Sequence, residues 1–483
     1  MLLAGVTALP EEQCLTVEQH TNLLQLGRAD KLAMQLREMY GAILDSVSDT
    51  TLFHRVSEQL GRAARYRIPD TPPSRFVWTV VFFVLTLLGI FAVLLLWPAG
   101  ESTHSPWFWI CITVYPTGIA GFVVSRVFSV YEGRRLDALA WNAACKQFAE
   151  QEFTQESIPL RILGAAIRVT EDDAENGVAN IADRTMTLDA RASDHSVDDS
   201  VAARWLQPID ARLAADEAER HTLILEWLYD KLLVDLTESI TPLPAEVPLR
   251  VLLDVSDYVG NADLVELWQA QWRNHNLRDA RTQRVPAPLG LMTVDTWLDG
   301  CDGASPLDRS AVLLISVSLS AVLNEDPPEG TAEAGIGLLI ASTALTARYK
   351  LRPIASLHRP LRSGNENLIH ALTYALRWGY AKFDSLESAW MTGFDGETVG
   401  PLHTAMSHVG GGKPRNEPLP EIDLDRSVGR AGLSAGWLTA TCAVLRAASS
   451  ATPQLVAQRN EDHTIIAVVT KGDHELNNTL ASA

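Results

Sequence analysis

Three residues in the C-terminal part of this chain have side chains suited to covalent chemistry. Ser434 stands in Gly432-Leu-Ser-Ala-Gly436, which matches the G-x-S-x-G pattern of a nucleophile elbow. An elbow sets its serine between an apolar strand and a helix, and it needs a later acid and histidine to take the proton. Residues 437–448 supply a helix, and Asp462-His463 and Asp473-His474 are the partners the remaining chain offers. The preceding residues 423–430 (DLDRSVGR) are too polar for a core strand, so a glycine-lined helix start is the better reading. Cys301 precedes Asp302-Gly303 in a turn, where a thiolate would need a positive neighbour to react. Ser434, Cys301 and His463 are thus the candidates if the chain is an enzyme. The reading preferred here is that none of them is catalytic.

Other spacings fail their chemistry. Gly410-Gly-Gly-Lys413 has the outline of a phosphate loop, but Pro414 occupies the place where Ser or Thr would hold magnesium. His403 and His408 are five residues apart and diverge around a helix, so they do not share a metal. Cys14, Cys111, Cys145, Cys301 and Cys442 are too scattered for a disulfide framework or a zinc site. Asp172, Asp173 and Glu175 lack the ligand spacing of a calcium loop. No cofactor or metal is therefore expected. Lys+Arg 40 against Asp+Glu 59 gives a net charge of -19 and argues against nucleic acid as a partner.

The elements that would hold these residues divide the chain in two. Residues 76–97 are uncharged with two threonines as their polar side chains, and at ~1.5 Å per residue they cover a ~30 Å hydrocarbon core. Residues 107–125 are a second uncharged run, interrupted by Pro116 and Gly118. Trp78, Trp97, Trp107 and Trp109 lie at or near the ends, where indoles favour the interface. Arg62, Arg65, Arg67 and Arg75 precede the first run, and Arg126, Arg134 and Arg135 follow the second. The connection 98–106 has neither Lys nor Arg. The positive-inside bias therefore puts both termini in the cytoplasm, with a two-helix transmembrane hairpin across residues 76–125.

Residues 1–75 read as a cytoplasmic helical region (17–26, 29–46, 50–65) ended by Asp70-Thr-Pro-Pro-Ser. Residues 126–157 read as an amphipathic stalk helix. From 158 strands alternate with helices: a first α/β half to residue 300, with an acidic, solvated insertion over 171–220, and a second half over 301–483. Hydrophobic residues make up 47% of the chain and charged residues 20%, enough apolar surface for a packed core. The expectation is an α/β layered fold with helices on both sheet faces. The segments Pro159-Leu-Arg-Ile-Leu and Pro248-Leu-Arg-Val-Leu echo each other but are too short to establish a duplication.

The order of elements over 158–470 resembles the thiolase fold of β-ketoacyl synthases. The resemblance is carried by the strand at 311–318 with the small-residue segment 328–340 (PEGTAEAGIGLLI), by Gly429-Arg-Ala-Gly432-Leu-Ser-Ala-Gly436 with its Ala- and Thr-rich helix, and by a closing strand at 465–469. Those synthases use a cysteine nucleophile in the first half and two histidines in the second. This chain has no cysteine between Lys146 and Gly300, and Arg426-Ser-Val428 stands where a histidine would be expected. The resemblance therefore implies a pseudoenzyme, since acyl transfer needs a thiolate and an oxyanion-stabilising imidazole. Degenerate proteins of this kind resemble components of bacterial type VI secretion systems, lipase-effector adaptors among them. On that analogy the chain is an adaptor at the bacterial inner membrane that binds an effector or apparatus subunit. The alternative is a membrane-bound acyltransferase or lipid hydrolase, and self-association into a homo-oligomer stays open.

Overall fold

The computed structural model describes residues 72–472 apart from short breaks at 99, 184, 193–194, 196–199, 257–262, 300–305 and 412–417. The helices expected over 17–65, Cys14, Cys301, Lys413 and Asp473-His474 lie outside the described residues. The chain forms two compact units that meet in sequence at Glu152 and Phe153.

The first unit is helical. Helix α1 (Arg75–Leu96) starts at Ser74, whose hydroxyl accepts the Val77 N–H, and none of its residues is buried. Helix α2 (Pro106–Trp109) passes through a π turn, Ile110–Val114, into the 42-residue α3 (Tyr115–Glu156). The wide turn sits just before Pro116, which has no N–H to continue the ladder. Thr113 and Thr117 hydroxyls donate to the carbonyls of Trp109 and Thr113 there. Gly89 of α1 faces Pro116, and a Cβ on it would come within 2.7 Å of the ring. A small residue thus lets the two helices approach closely. Both helical stretches are long and apolar enough to cross a membrane, with mean hydropathies of 2.9 and 1.6. The expected division between span and stalk at residue 125 has no break in the structure; one continuous helix serves both.

The second unit is a mixed sheet between helix layers. After β1 (Leu160–Arg168) come α4 (Val178–Ala182) and a separate small ladder of β2 (Ala190–Ala192) with β3 (Ser200–Ala202). The first half continues with α5 (Glu217–Ile240), β4 (Leu249–Val255), α6 (Leu264–Asn274), β5 (Arg281–Arg284), α7 (Thr293–Asp299), β6 (Ala311–Ser318) and β7 (Ala334–Ser342). Helix α8 (Thr343–Tyr349) leads to the second half. There β8 (Ala355–Leu357) and β9 (Leu361–Ser363) precede α9 (Leu368–Trp378), β10 (Ser388–Thr392), α10 (Val399–Val409) and β11 (Glu421–Asp423). The chain then runs through α11 (Leu424–Ser427), α12 (Ala435–Ser450), β12 (Gln454–Asn460) and β13 (His463–Lys471).

The two halves repeat one another. In the first the strand order is β5-β4-β6-β7-β1, and in the second β11-β10-β12-β13-β8, with β9 also on β13. The senses match too: β4 is parallel to β5 and β6, as β10 is to β11 and β12. Strand β7 is antiparallel to β6 and β1, as β13 is to β12 and β8. Strands β1 and β8 pair antiparallel and join the halves into one sheet. The duplication thus divides the α/β region between Ser342 and Ala355, whereas the sequence reading divides it at residue 300. The Pro159/Pro248 echo falls on β1 and β4, two strands of the same half, and is not the repeat.

Every residue of β6 and β7 is buried, which is why those strands are apolar apart from Ser316, Ser318 and Ser342. One face of the first half packs on α5 and α6 around Tyr229 and Trp268. Helices α9 and α10 cover one face of the second half. Helix α12 lies in a core shared by strands of both halves, with Trp437, Ile336 and Val456 in one cluster. The insertion over 171–220 is not solvated throughout. Ile181 and Leu206 are fully buried, and the segment is pinned by a buried ion pair. Arg220 bonds Glu333 at 2.8 Å, and Glu333 also accepts the N–H groups of Leu206 and Ser320.

Candidate functional site

The strands β4 and β6 end on a paired Asp254 and Ser316, held opposite each other in register. Ligands in open α/β sheets bind outside such carboxyl ends, and the start of α12 meets this one. The Ser434 hydroxyl lies 2.8 Å from that of Ser316, and Ser316 in turn hydrogen-bonds Asp254. Ser316 and Ser434 have no exposed surface and Asp254 is 2% exposed. The other link runs through Leu289, whose N–H donates to Asp254 Oδ2 at 3.2 Å while its carbonyl accepts the Trp437 Nε1–H at 2.6 Å. One carboxylate of the first half is thereby tied twice to the central helix of the second.

Burial raises the Asp254 carboxyl to about 6, against the smaller lowering effects of the Leu289 N–H and Ser316 hydroxyl. When Asp254 is ionised it accepts only, so Ser316 donates to it and Ser434 must donate to Ser316. The Ser434 proton is then directed along the chain of hydroxyls, and its oxygen faces no imidazole among those bonds. A hydroxyl with no exposed surface also gives an external acyl group no line of approach.

The glycines of the G-x-S-x-G motif have packing roles. Gly432 has φ of +49°, and a Cβ on it would stand 2.7 Å from the Ser318 hydroxyl on β6. Gly436 lies against β12, where a Cβ would meet the Gln458 side chain at 2.4 Å. The residues before the motif form the short β11 and α11 instead of a core strand leading directly into the serine.

The remaining candidates fall elsewhere. His463 opens β13 at a hairpin tip, paired with Asn460. Burial, then Arg362 and Arg459, hold its imidazole below the usual histidine range. Cys301 lies outside the described residues. Cys442 is buried in α12 and its thiol is pushed up to about 12 by burial, far from a reactive thiolate. His403 bonds Glu421 at 2.9 Å, and His408 sits in the last turn of α10. Among the described residues no group of three or more His, Cys, Asp or Glu is placed to hold a metal ion.

No family model and no curated protein matches the chain. Solved structures do. The ishigamide ketosynthase/chain length factor is similar over 65% of this chain and 99% of its own, at 15% identity and a TM-score of 0.42. A Streptomyces albus oxazolomycin ketosynthase domain matches over 65% and 74%, at 11% identity and a TM-score of 0.43. The module 6 ketosynthase of the Bacillus subtilis bacillaene synthase matches over 65% and 72%, at 11% and 0.45. The solved structures named are ketosynthases, and the mixed α/β layering is seen in the chain's own sheet. What chemistry this chain could do rests on its own residues.

Asp254 and Ser316 were not among the candidates read from the sequence. Their signals were present: a carboxylate closing an otherwise apolar strand, and a serine inside one (SAVLLISVS). Buried polar groups of that kind need partners, and partnership across 118 residues to Ser434 is not legible along the chain.

Proposed function

We propose that the protein is a membrane-anchored, non-catalytic adaptor whose α/β body binds another protein. The observation that carries this reading is the state of Ser434: its hydroxyl is sealed in the core and held by Ser316. A nucleophile needs an exposed oxygen and a base within hydrogen-bond reach. The cluster instead satisfies buried polar groups and locks two halves of a duplicated fold together. The pair of apolar helices supports a tether in the bilayer through residues 76–125, with both termini on the cytoplasmic side by the arginine flanks. The bound protein, on the resemblance described above, is an effector or apparatus subunit of a type VI secretion system at the bacterial inner membrane.

The reading is tested by capture from detergent extracts with the full chain as bait. Specific recovery of a secreted effector or secretion component, lost when the α/β body is deleted and the helical hairpin retained, is the expected result. Recovery of neither class by the full chain would overturn it.

A further inference from the structure

In a chain with a net charge of -19, residues 334–365 contain neither Asp nor Glu and carry five Arg and Lys. One of these, Arg359, is spent inside the body on Glu156, Asp295 and Asp299. Arg348, Lys350 and Arg352 are exposed at the end of α8 and just after it, and Arg309 and Lys471 are exposed at the same end of the sheet. The register puts them there: β1 begins at Leu160 opposite Ser342, the last residue of β7, and Lys471 closes β13 opposite Ala355. Arg309 stands two residues before β6, after the Pro306–Asp308 turn that packs on α8. Beneath them the Arg161 guanidinium bonds Thr343, Ser356 and the Gly472 carbonyl, which ties α8, β8 and the end of β13 into one surface. None of the five exposed cations has an ion pair or hydrogen bond among the described residues. The C-terminus of α8 favours Arg348 in its last turn and Lys350 at its cap. Arg309, Arg352 and Lys471 answer no such need.

We propose that this end of the body, opposite the end where Asp254 and Ser316 stand, is a docking surface for an acidic segment of a partner protein. The inference rests on the protein-binding reading above and adds the chemistry of what is bound. The five cations are spread over separate stretches of chain and do not converge on one nest of backbone N–H groups, which suits a row of carboxylates better than a single phosphate. Ile158, 46% exposed two residues before β1, sets an apolar side chain at the same end. A protein partner, unlike a polyphosphate, has side chains to cover it. On a chain otherwise rich in acid, a basic face also decides where an acidic partner lands, since the acid-rich remainder repels it.

The test uses the full chain in detergent and a labelled peptide of Asp, Glu, Gly and Val, followed by fluorescence anisotropy. Saturable binding that weakens with salt is expected. Arg309→Glu with Arg352→Glu, two sites outside the helix cap, should weaken it by about tenfold or more. Arg273→Glu with Arg281→Glu, at exposed positions elsewhere, makes the same change in net charge and should weaken it by less than about threefold. Arg309→Gln with Arg352→Gln should give a loss between those two, with unchanged melting. No saturable binding, equal binding of a Lys/Val peptide, or equal losses in the two double Glu variants overturns the proposal. So does tripolyphosphate that displaces the labelled peptide at a lower concentration than unlabelled peptide does, which would assign the face to phosphate. A dimer that dissociates in Arg309→Glu with Arg352→Glu overturns it too, by assigning the face to a second copy. If the face fails while the capture experiment still recovers a partner, the adaptor reading stands and its surface lies elsewhere.

Discussion

Asp254 is the residue on which the interior of the α/β body turns. Its carboxyl is raised to about 6 in the fold, mainly by burial, against 3.8 for the free group. The native state therefore holds a proton that the unfolded chain has released between those values. Stability falls as pH rises through that window, by on the order of 3 kcal/mol once both states are ionised. Asp254→Asn keeps an acceptor for the Leu289 N–H and removes the charge. Denaturant titrations between pH 4 and 7.5 should show a declining stability for the wild type and a flatter profile for the variant, which is the more stable at pH 7.5. The same slope in both would show that the charge is not buried as described. Ser434→Ala takes one hydroxyl from the chain and is expected to cost about 1 kcal/mol; a loss of several would mean that the serine anchors more than Ser316.

At the scale of elements, the apolar strands and long helices were legible in the sequence, because continuous burial writes itself as continuous hydrophobicity. The strand expected at 311–318 is β6, and the closing strand expected at 465–469 is found as the longer β13. What escaped were strands with mixed composition: β5 (RTQR) at an open edge, β10 (SAWMT), and β12 (QLVAQRN), whose buried Gln454 is held by Ser388 and Glu387. Their polar residues are satisfied by neighbours distant in sequence, which no local pattern records. The insertion was misread for the same reason, since the pair that pins it joins residues 113 apart. Breaking that pair leaves a buried charge without its partner. Arg220→Met or Glu333→Leu alone should cost about 3–5 kcal/mol in chemical denaturation. The double variant should lose clearly less than the two single losses together, while the Leu206 and Ser320 N–H groups left without Glu333 keep it below the wild type. Additive losses would show that the two side chains act independently.

For the whole molecule, a duplicated α/β body continues in sequence from a hairpin of apolar helices. The hairpin itself was plain in the sequence, and the duplication was not, because it lives in strand order and not in residue identity. The proposed topology puts the connection over residues 98–106 on the non-cytoplasmic side of the membrane. Ser102→Cys, treated with a membrane-impermeant maleimide on spheroplasts, should label without permeabilisation; labelling only after lysis would reverse the topology. The central claim is that the folded body holds no reactive centre. Incubation of the full chain with a fluorophosphonate and, separately, iodoacetamide, read by intact mass and peptide mapping, addresses it most directly. The account predicts no fluorophosphonate adduct on Ser434 and no thiol alkylated faster than in a simple peptide; a stoichiometric adduct on Ser434, or rapid alkylation of Cys301, would contradict it.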